Sequence, residues 1–194
     1  MSMHNRRIIA GSGVLVRVLA WLLCAGLLAT LEVARAEPTL TPVVNNPVAP
    51  PAAMPQVSRV VVYKSARRMD LMSGDEVVRS YRVSLGLQPV GHKEREGDFR
   101  TPEGRYYLTR RNPRSDYFLS IQVSYPNERD VKHARANGWE PGGAIMIHGM
   151  PNRPRHDPDY YTRDWTDGCI AVSNADMVEI WLLTSRTTPI DILP

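Results

Sequence analysis

A histidine and a cysteine twenty-one residues apart constrain this chain more than any other feature. Ile145-Met146-Ile147-His148-Gly149 is a short apolar run that ends in an imidazole. Trp165-Thr166-Asp167-Gly168-Cys169-Ile170-Ala171-Val172 sets a thiol after a glycine and before a β-favouring run. That spacing is too long for one helix or one tight turn, so the two side chains can meet only where neighbouring strands bring their ends together. The chemistry explains the pairing: a neutral thiol is a poor nucleophile, and a thiolate beside an imidazole is a good one at neutral pH. Gly168 lets the backbone approach a carbonyl closely, and N–H groups around Gly168 and Cys169 are candidate oxyanion donors.

The thiol stands alone once the N-terminus is read as a leader. Arg6 and Arg7 precede an apolar run over residues 18–31, and Ala34-Arg35-Ala36 supplies a small-x-small processing site. This predicts a secretory signal peptide over residues 1–36, with an uncleaved membrane anchor as the alternative, and an exported, periplasmic protein. Removing that segment takes away Arg6, Arg7, Arg17, Arg35 and Glu32, so the formal charge falls from +4 to +1. The basicity therefore belongs mostly to the leader and gives no argument for nucleic acid. Cys24 leaves with it, and Cys169 has no internal disulfide partner in an oxidising compartment. The plainer reading of Cys169 is a buried hydrophobe, and of His148 a structural histidine; Gly168 and the strand-end position of His148 favour catalysis.

The mature part is long enough for one domain with its own core. Prolines at 38, 42, 47, 50, 51 and 55 make residues 37–57 an extended spacer. A β-rich run over residues 59–64, extended by residues 69–71, and an alternating run over residues 77–85 read as a first hairpin around Ser73-Gly74-Asp75. Thr101-Pro102-Glu103-Gly104 is a rigid turn before a strand at residues 105–108. Residues 117–124 alternate as the cleanest half-buried strand. Asn127 with Asp130 caps a short helix through Ala136 that Gly138 closes. Residues 144–147 form a buried strand delivering His148. Residues 150–164 read as a lid in which Arg153, Arg155, Tyr160 and Tyr161, with Trp165 and Thr166 beyond, are candidate substrate contacts. The plainer reading of its aromatics is that they hold the loop down. After Val172, Ser173 or Asn174 caps a helix whose Met177, Ile180 and Trp181 share one face, expected to pack on the sheet beneath Cys169. Residues 188–192 form a last strand, edge-like because of Pro189.

On these residues the chain resembles the YkuD-type L,D-transpeptidase catalytic domain. The family pattern of His-Gly, a variable loop, Ser or Thr, any residue, then Gly-Cys and an aliphatic residue reads here as His148-Gly149 and Thr166-Asp167-Gly168-Cys169-Ile170. The stretch from Gly97 to Gly104 adds to the likeness. The sequence departs at Ala171, where many members carry arginine; Ala171, Val172 and Asn174 look more like the YafK-like branch. The resemblance implies a mainly β fold, a β-sandwich of mixed sheets with one or two short helices, over residues 58–194. It implies a cysteine acyltransferase on peptidoglycan stem peptides, with Cys169 as nucleophile, His148 as base oriented by the Gly149 carbonyl, and Gly168 and Gly149 helping to position the oxyanion. It implies no cofactor and no metal. A wall-linked lipoprotein is the alternative partner, with stem-peptide or peptidoglycan–lipoprotein hydrolysis as the alternative reaction, and a monomer is expected. Asp167 beside the thiol would raise its pKa and oppose activation.

Two other classes stay open at this level. Metal-dependent hydrolysis could use His148, His156, Asp157 and Cys169, although no compact ligand spacing is present. A non-enzymatic wall-binding domain would bury Cys169. No Ser-x-x-Lys motif or nucleotide fingerprint occurs outside the leader, and no aromatic-basic stripe suggests nucleic acid.

Overall fold

The computed structural model describes residues 56–153, 156 and 158–194; the expected leader and the spacer up to residue 55 lie outside them. Eight strands run in chain order as β1 (Arg59–Tyr63), β2 (Arg68–Ser73), β3 (Glu76–Arg82), β4 (Gly104–Ser115), β5 (Phe118–Val123), β6 (Met146–His148), β7 (Ile170–Ala171) and β8 (Pro189–Leu193). Two helices, α1 (Glu128–Ala136) and α2 (Asn174–Leu183), complete a mainly β domain. The strand order is β3-β2-β1-β8-β4-β5-β6-β7. β1 with β8 and β6 with β7 are parallel; all other neighbours are antiparallel, so the sheet is mixed.

β4 joins the two halves. Residues 104–107 pair with β8 and residues 108–115 with β5, each half with its own neighbours. Val60, Leu71 and Ile190 from one half and Ile121, Ile147 and Ile170 from the other share one hydrophobic core. The chain leaving β3 then crosses to the far end of the order. Ser84 pairs with Ala171 and Gly86 with Thr166, which ties the two ends together around that core.

The first hairpin is a three-stranded meander. Residues 64–67 turn the chain, with Arg67 at φ 49°, so residues 69–71 lie in a separate antiparallel strand and do not extend β1. The last strand is also not an edge. β8 lies between β1 and β4, and Pro189, at its first position, is tolerated where a strand begins. α1 follows the expected capping box: Asn127 accepts from Arg129 and Asp130 N–H while Asp130 reaches back to Asn127 N–H. In α2, Ser173 accepts from Asp176 N–H, and Met177 and Ile180 are buried. α2 packs against β5. Its tie to the site runs through Asn174, whose side-chain oxygen accepts from Met150 N–H at 2.7 Å, on the histidine side. Among the described residues no helix is long and apolar enough to cross a membrane.

A buried lysine and a half-buried carboxylate anchor the loop over residues 86–103. Lys64, 2 % exposed, donates to Gly91 O, Thr101 O and Glu103 Oε1 at 2.6, 2.9 and 2.7 Å, which uses all three ammonium protons. Burial lowers its pKa, and Glu103 pulls the other way. Burial pushes the Asp98 carboxyl up, but donation from Lys93 and from the N–H groups of Glu94, Arg95 and Arg100 outweighs it and holds the group below its ordinary value. That contribution is intact above the unfolded carboxylate pKa and lost as pH falls through the lowered one. Lys64→Ala should destabilise the domain by about 3 kcal/mol, because two carbonyls and a carboxylate lose their donor together. Urea denaturation of the two proteins measures it.

Candidate active site

Strand alternation brings the cysteine and the histidine to one face. Ile147 of β6 pairs with Ile170 of β7, and both side chains enter the core. Met146, His148 and Cys169 therefore share the opposite face. Continuing the parallel register puts Cys169 opposite Met146, two residues from His148, a Cα separation of about 8 Å that leaning side chains can span. All three residues line one cavity of about 360 Å³.

The turn that carries the thiol is built from backbone contacts. Gly168 sits at φ +124°, and a Cβ there would lie 2.7 Å from Arg100 O. A Cβ on Gly86 would meet Phe99 O at 2.1 Å and Gly168 Cα at 3.0 Å. Gly86, the loop over residues 97–104 and the Cys169 turn are thus packed backbone on backbone, where only glycine fits. Thr166 closes the turn from inside: its hydroxyl donates to Cys169 O at 2.7 Å and accepts from Gly168 N–H at 3.2 Å. Asp164 holds the approach to it, accepting a bidentate contact from Arg67 and a bond from Leu85 N–H.

His148 is 4 % exposed, and its Nδ1 lies 2.7 Å from Gly149 O. A carbonyl can only accept, so Nδ1 carries the proton and Nε2 keeps its lone pair in the neutral ring. Burial lowers the histidine pKa; the bond to Gly149 raises it but does not prevail. The thiol is partly exposed, and Sγ lies 3.6 Å from Ala144 O. Burial raises its pKa, a hydrogen bond to the Met146 backbone lowers it, Asp167 raises it and Lys93 lowers it. Both shifts favour the neutral pair, thiol with imidazole, over a standing thiolate with imidazolium. Such a pair can exchange a proton when the sulfur attacks.

The residues singled out in the sequence divide. Cys169, His148, Tyr160, Trp165 and Thr166 line the cavity. Tyr161 stacks edge-on against Tyr160 and Trp165 behind that wall. Arg153 is exposed and outside the lining, and Arg155 lies outside the described residues, as does Asp157. The Thr166 hydroxyl is engaged within the Cys169 turn, although the residue lines the cavity. Of the three expected oxyanion donors, two are engaged: Gly168 N–H with Thr166, and Gly149 N–H with Leu119 O at 3.2 Å. Within the loop expected as a lid, Pro158–Thr162 forms a 3-10 turn. Among the described residues no three His, Cys, Asp or Glu side chains gather as a metal centre.

The opposite wall was not foreseen. Arg114, Ser115, Asp116 and Tyr117, at the tip of the β4–β5 hairpin, line the cavity. Alternation identified β5, but the hairpin's bulged register, shifted at two places in β4, hides its partner strand from a period-2 search. The one available signal was Asn112-Pro113-Arg114-Ser115-Asp116, a run of turn-forming residues before the β5 alternation.

This mixed β-fold presents one thiol and one imidazole to a single cavity, an arrangement suited to cysteine-based acyl transfer. Residues 58–192 match the L,D-transpeptidase catalytic domain, YkuD, and the chain belongs to that family of enzymes. Over 96 residues it is 35% identical to "Putative L,D-transpeptidase YafK" of Escherichia coli (strain K12), an overlap of 46% of this chain and 37% of that protein. The match thus spans well under half of that curated relative's length. The helical cell shape determining protein Pgp2 of Campylobacter jejuni superposes with a TM-score of 0.54 at 26% identity, over 70% of this chain and 47% of that one. Bdellovibrio bacteriovorus Bd1075 gives 0.51 at 25% identity, over 71% and 48%.

Thr166→Val should cost about 1–3 kcal/mol of stability, because the buried Gly168 N–H loses its acceptor. Thr166→Ser keeps the hydroxyl and should lose much less. Urea midpoints for the three proteins, read beside the rate of Cys169 alkylation by iodoacetamide, check both the bond and its effect on the thiol.

Proposed function

We propose that this protein is a cysteine acyltransferase of peptidoglycan stem peptides, forming a thioester with an L-centre carbonyl and passing it to an amine. The supporting observation is the convergence of Cys169 and His148 on one cavity, with His148 Nδ1 held by the Gly149 carbonyl so that Nε2 is the basic atom. As Sγ attacks the carbonyl carbon, Nε2 takes the thiol proton. The C–N bond to the D-residue breaks, and the imidazolium returns that proton to the leaving amine. An acceptor amine then attacks the thioester and yields its proton to Nε2. The C–S bond breaks, and the proton goes back to sulfur. The Cys169 N–H is assigned as the oxyanion donor, because the two glycine N–H groups are engaged elsewhere.

The name of the Escherichia coli relative favours transfer over hydrolysis, and that of the Campylobacter jejuni structure suggests a part in cell shape. With a leader over residues 1–36, the reaction belongs in the periplasm. Mass spectrometry after exposure to tetrapeptide muropeptides should find an acyl adduct on Cys169 and none on Cys169→Ala. Crosslinked products are expected; free stem peptides alone would reject transfer. The neutral imidazole also sets the pH dependence. Loss of activity toward acid should have its midpoint below 6.5, the ordinary histidine value, since burial lowers the pKa of the required base. The acid limb of kcat/KM measures it.

A further inference from the structure

His148 has a solvent-side cover that the reaction scheme does not use. The ring of Tyr117 lies 4.6 Å from the imidazole, centroid to centroid, with the planes 44° apart. Trp165 meets the same ring edge-on at 5.6 Å, and Tyr117 and Trp165 stack on each other at 6.1 Å and 29°. Tyr117 is 40 % exposed where His148 is 4 % exposed, so the tyrosine stands between the histidine and solvent.

The placement of Tyr117 is enforced. Asn152, four residues beyond His148, clamps the hairpin tip: its N–H donates to Asp116 O, its amide nitrogen donates to Ser115 O, and its side-chain oxygen accepts from Phe118 N–H, at 2.9, 2.9 and 3.0 Å. Phe118 itself sits at φ 66°, a conformation that a bulky side chain rarely adopts and that surrounding contacts must hold. Its side chain packs where a Cβ on Gly149 would lie 3.1 Å away, so the hairpin also rests on the residue whose carbonyl orients His148.

We propose that Tyr117 is a positioning residue for His148, an aromatic cap at the hairpin tip that fixes the tilt of the imidazole and keeps water off it. The cap rests on the reading of His148 as the base for Cys169. A ring held by one hydrogen bond can still tilt about that bond; contact with the tilted Tyr117 ring and the edge-on Trp165 ring removes the freedom. Excluding water disfavours the charged ring, so the cap also keeps the base in its working form. The other titratable groups sharing the cavity are Arg114 and Asp116 of the hairpin, Tyr160 of the 3-10 turn, and Asp167 and Cys169 of the thiol turn. For His148 itself the causes are burial, which lowers its pKa, and the Gly149 carbonyl, which raises it.

The test is an NMR titration of the His148 imidazole in the full chain, compared among wild type, Tyr117→Phe and Tyr117→Ala. Tyr117→Phe keeps the ring and should titrate as wild type does. Tyr117→Ala should raise the midpoint toward the ordinary histidine value, with about tenfold more imidazolium relative to imidazole at fixed pH. Cys169 alkylation should lose its low-pH rate in parallel. Asn152→Ala removes two of the three bonds to the hairpin with every ring present, and should move the midpoint the same way even if Tyr117→Ala does not fold. An unmoved midpoint in Tyr117→Ala, or a Tyr117→Phe shift as large as that of alanine, overturns the proposal. The titration reads the imidazole directly, so it is independent of peptidoglycan chemistry. Failure of the acyltransfer reading would instead show as a missing Cys169 adduct in a protein whose His148 titrates as expected.

Discussion

The parallel pairing of β6 with β7 carries the rest of the site. Two short strands, three residues and two, are joined through Ile147 with Ile170 and His148 with Ala171. Because side chains alternate across a sheet, burying the two isoleucines sends the histidine and the cysteine to the opposite face. A slip of one residue in either strand would bury the histidine or the cysteine and expose the isoleucine, so core packing enforces this register. The pairing is too short to hold itself. It depends on β5 on one side and, on the other, on residues 84–86, which bond to Ala171 and Thr166.

Behind the cysteine, the support is close packing rather than charge. Gly86, Phe99, Arg100 and Gly168 meet through backbone atoms, and the loop that supplies two of them is tied down by Lys64 at one end and by Asp98 within it. In front of the histidine, the support is aromatic and comes from a hairpin of another strand pair. The thiol is thus held from behind, while the imidazole is held from the solvent side.

Local patterns made much of this legible. The capping box of α1, the Ser173 cap of α2 and the β5 alternation are contiguous signals, and the structure has each of them at or within a residue of the expected place. The His-Gly and Thr-x-Gly-Cys segments located the cavity because glycine, thiol and imidazole are constrained by chemistry as well as by packing. What could not be read was long-range. The central position of β8 depends on two partners far earlier in the chain, β1 and β4, and a leading proline pointed to an edge. The turn at residues 64–67 lacks glycine and proline and uses Arg67 at positive φ, so nothing marked it. Tyr117 was visible only as one member of an alternating run, and its place over His148 depends on Asn152, thirty-five residues later.

The crossing of residues 84–86 to β7 has a consequence for how copies of this domain behave in a crowded compartment. An open sheet offers two unpaired borders to any strand that drifts past, and this one has its far border occupied by its own chain. Among the described residues the border left is β3, where Glu76, Arg79 and Arg82 are exposed and a register break interrupts its pairing with β2. Charge and irregularity both discourage a foreign strand from zipping on. The same short segment that braces the cysteine turn therefore guards against fibrillar self-association.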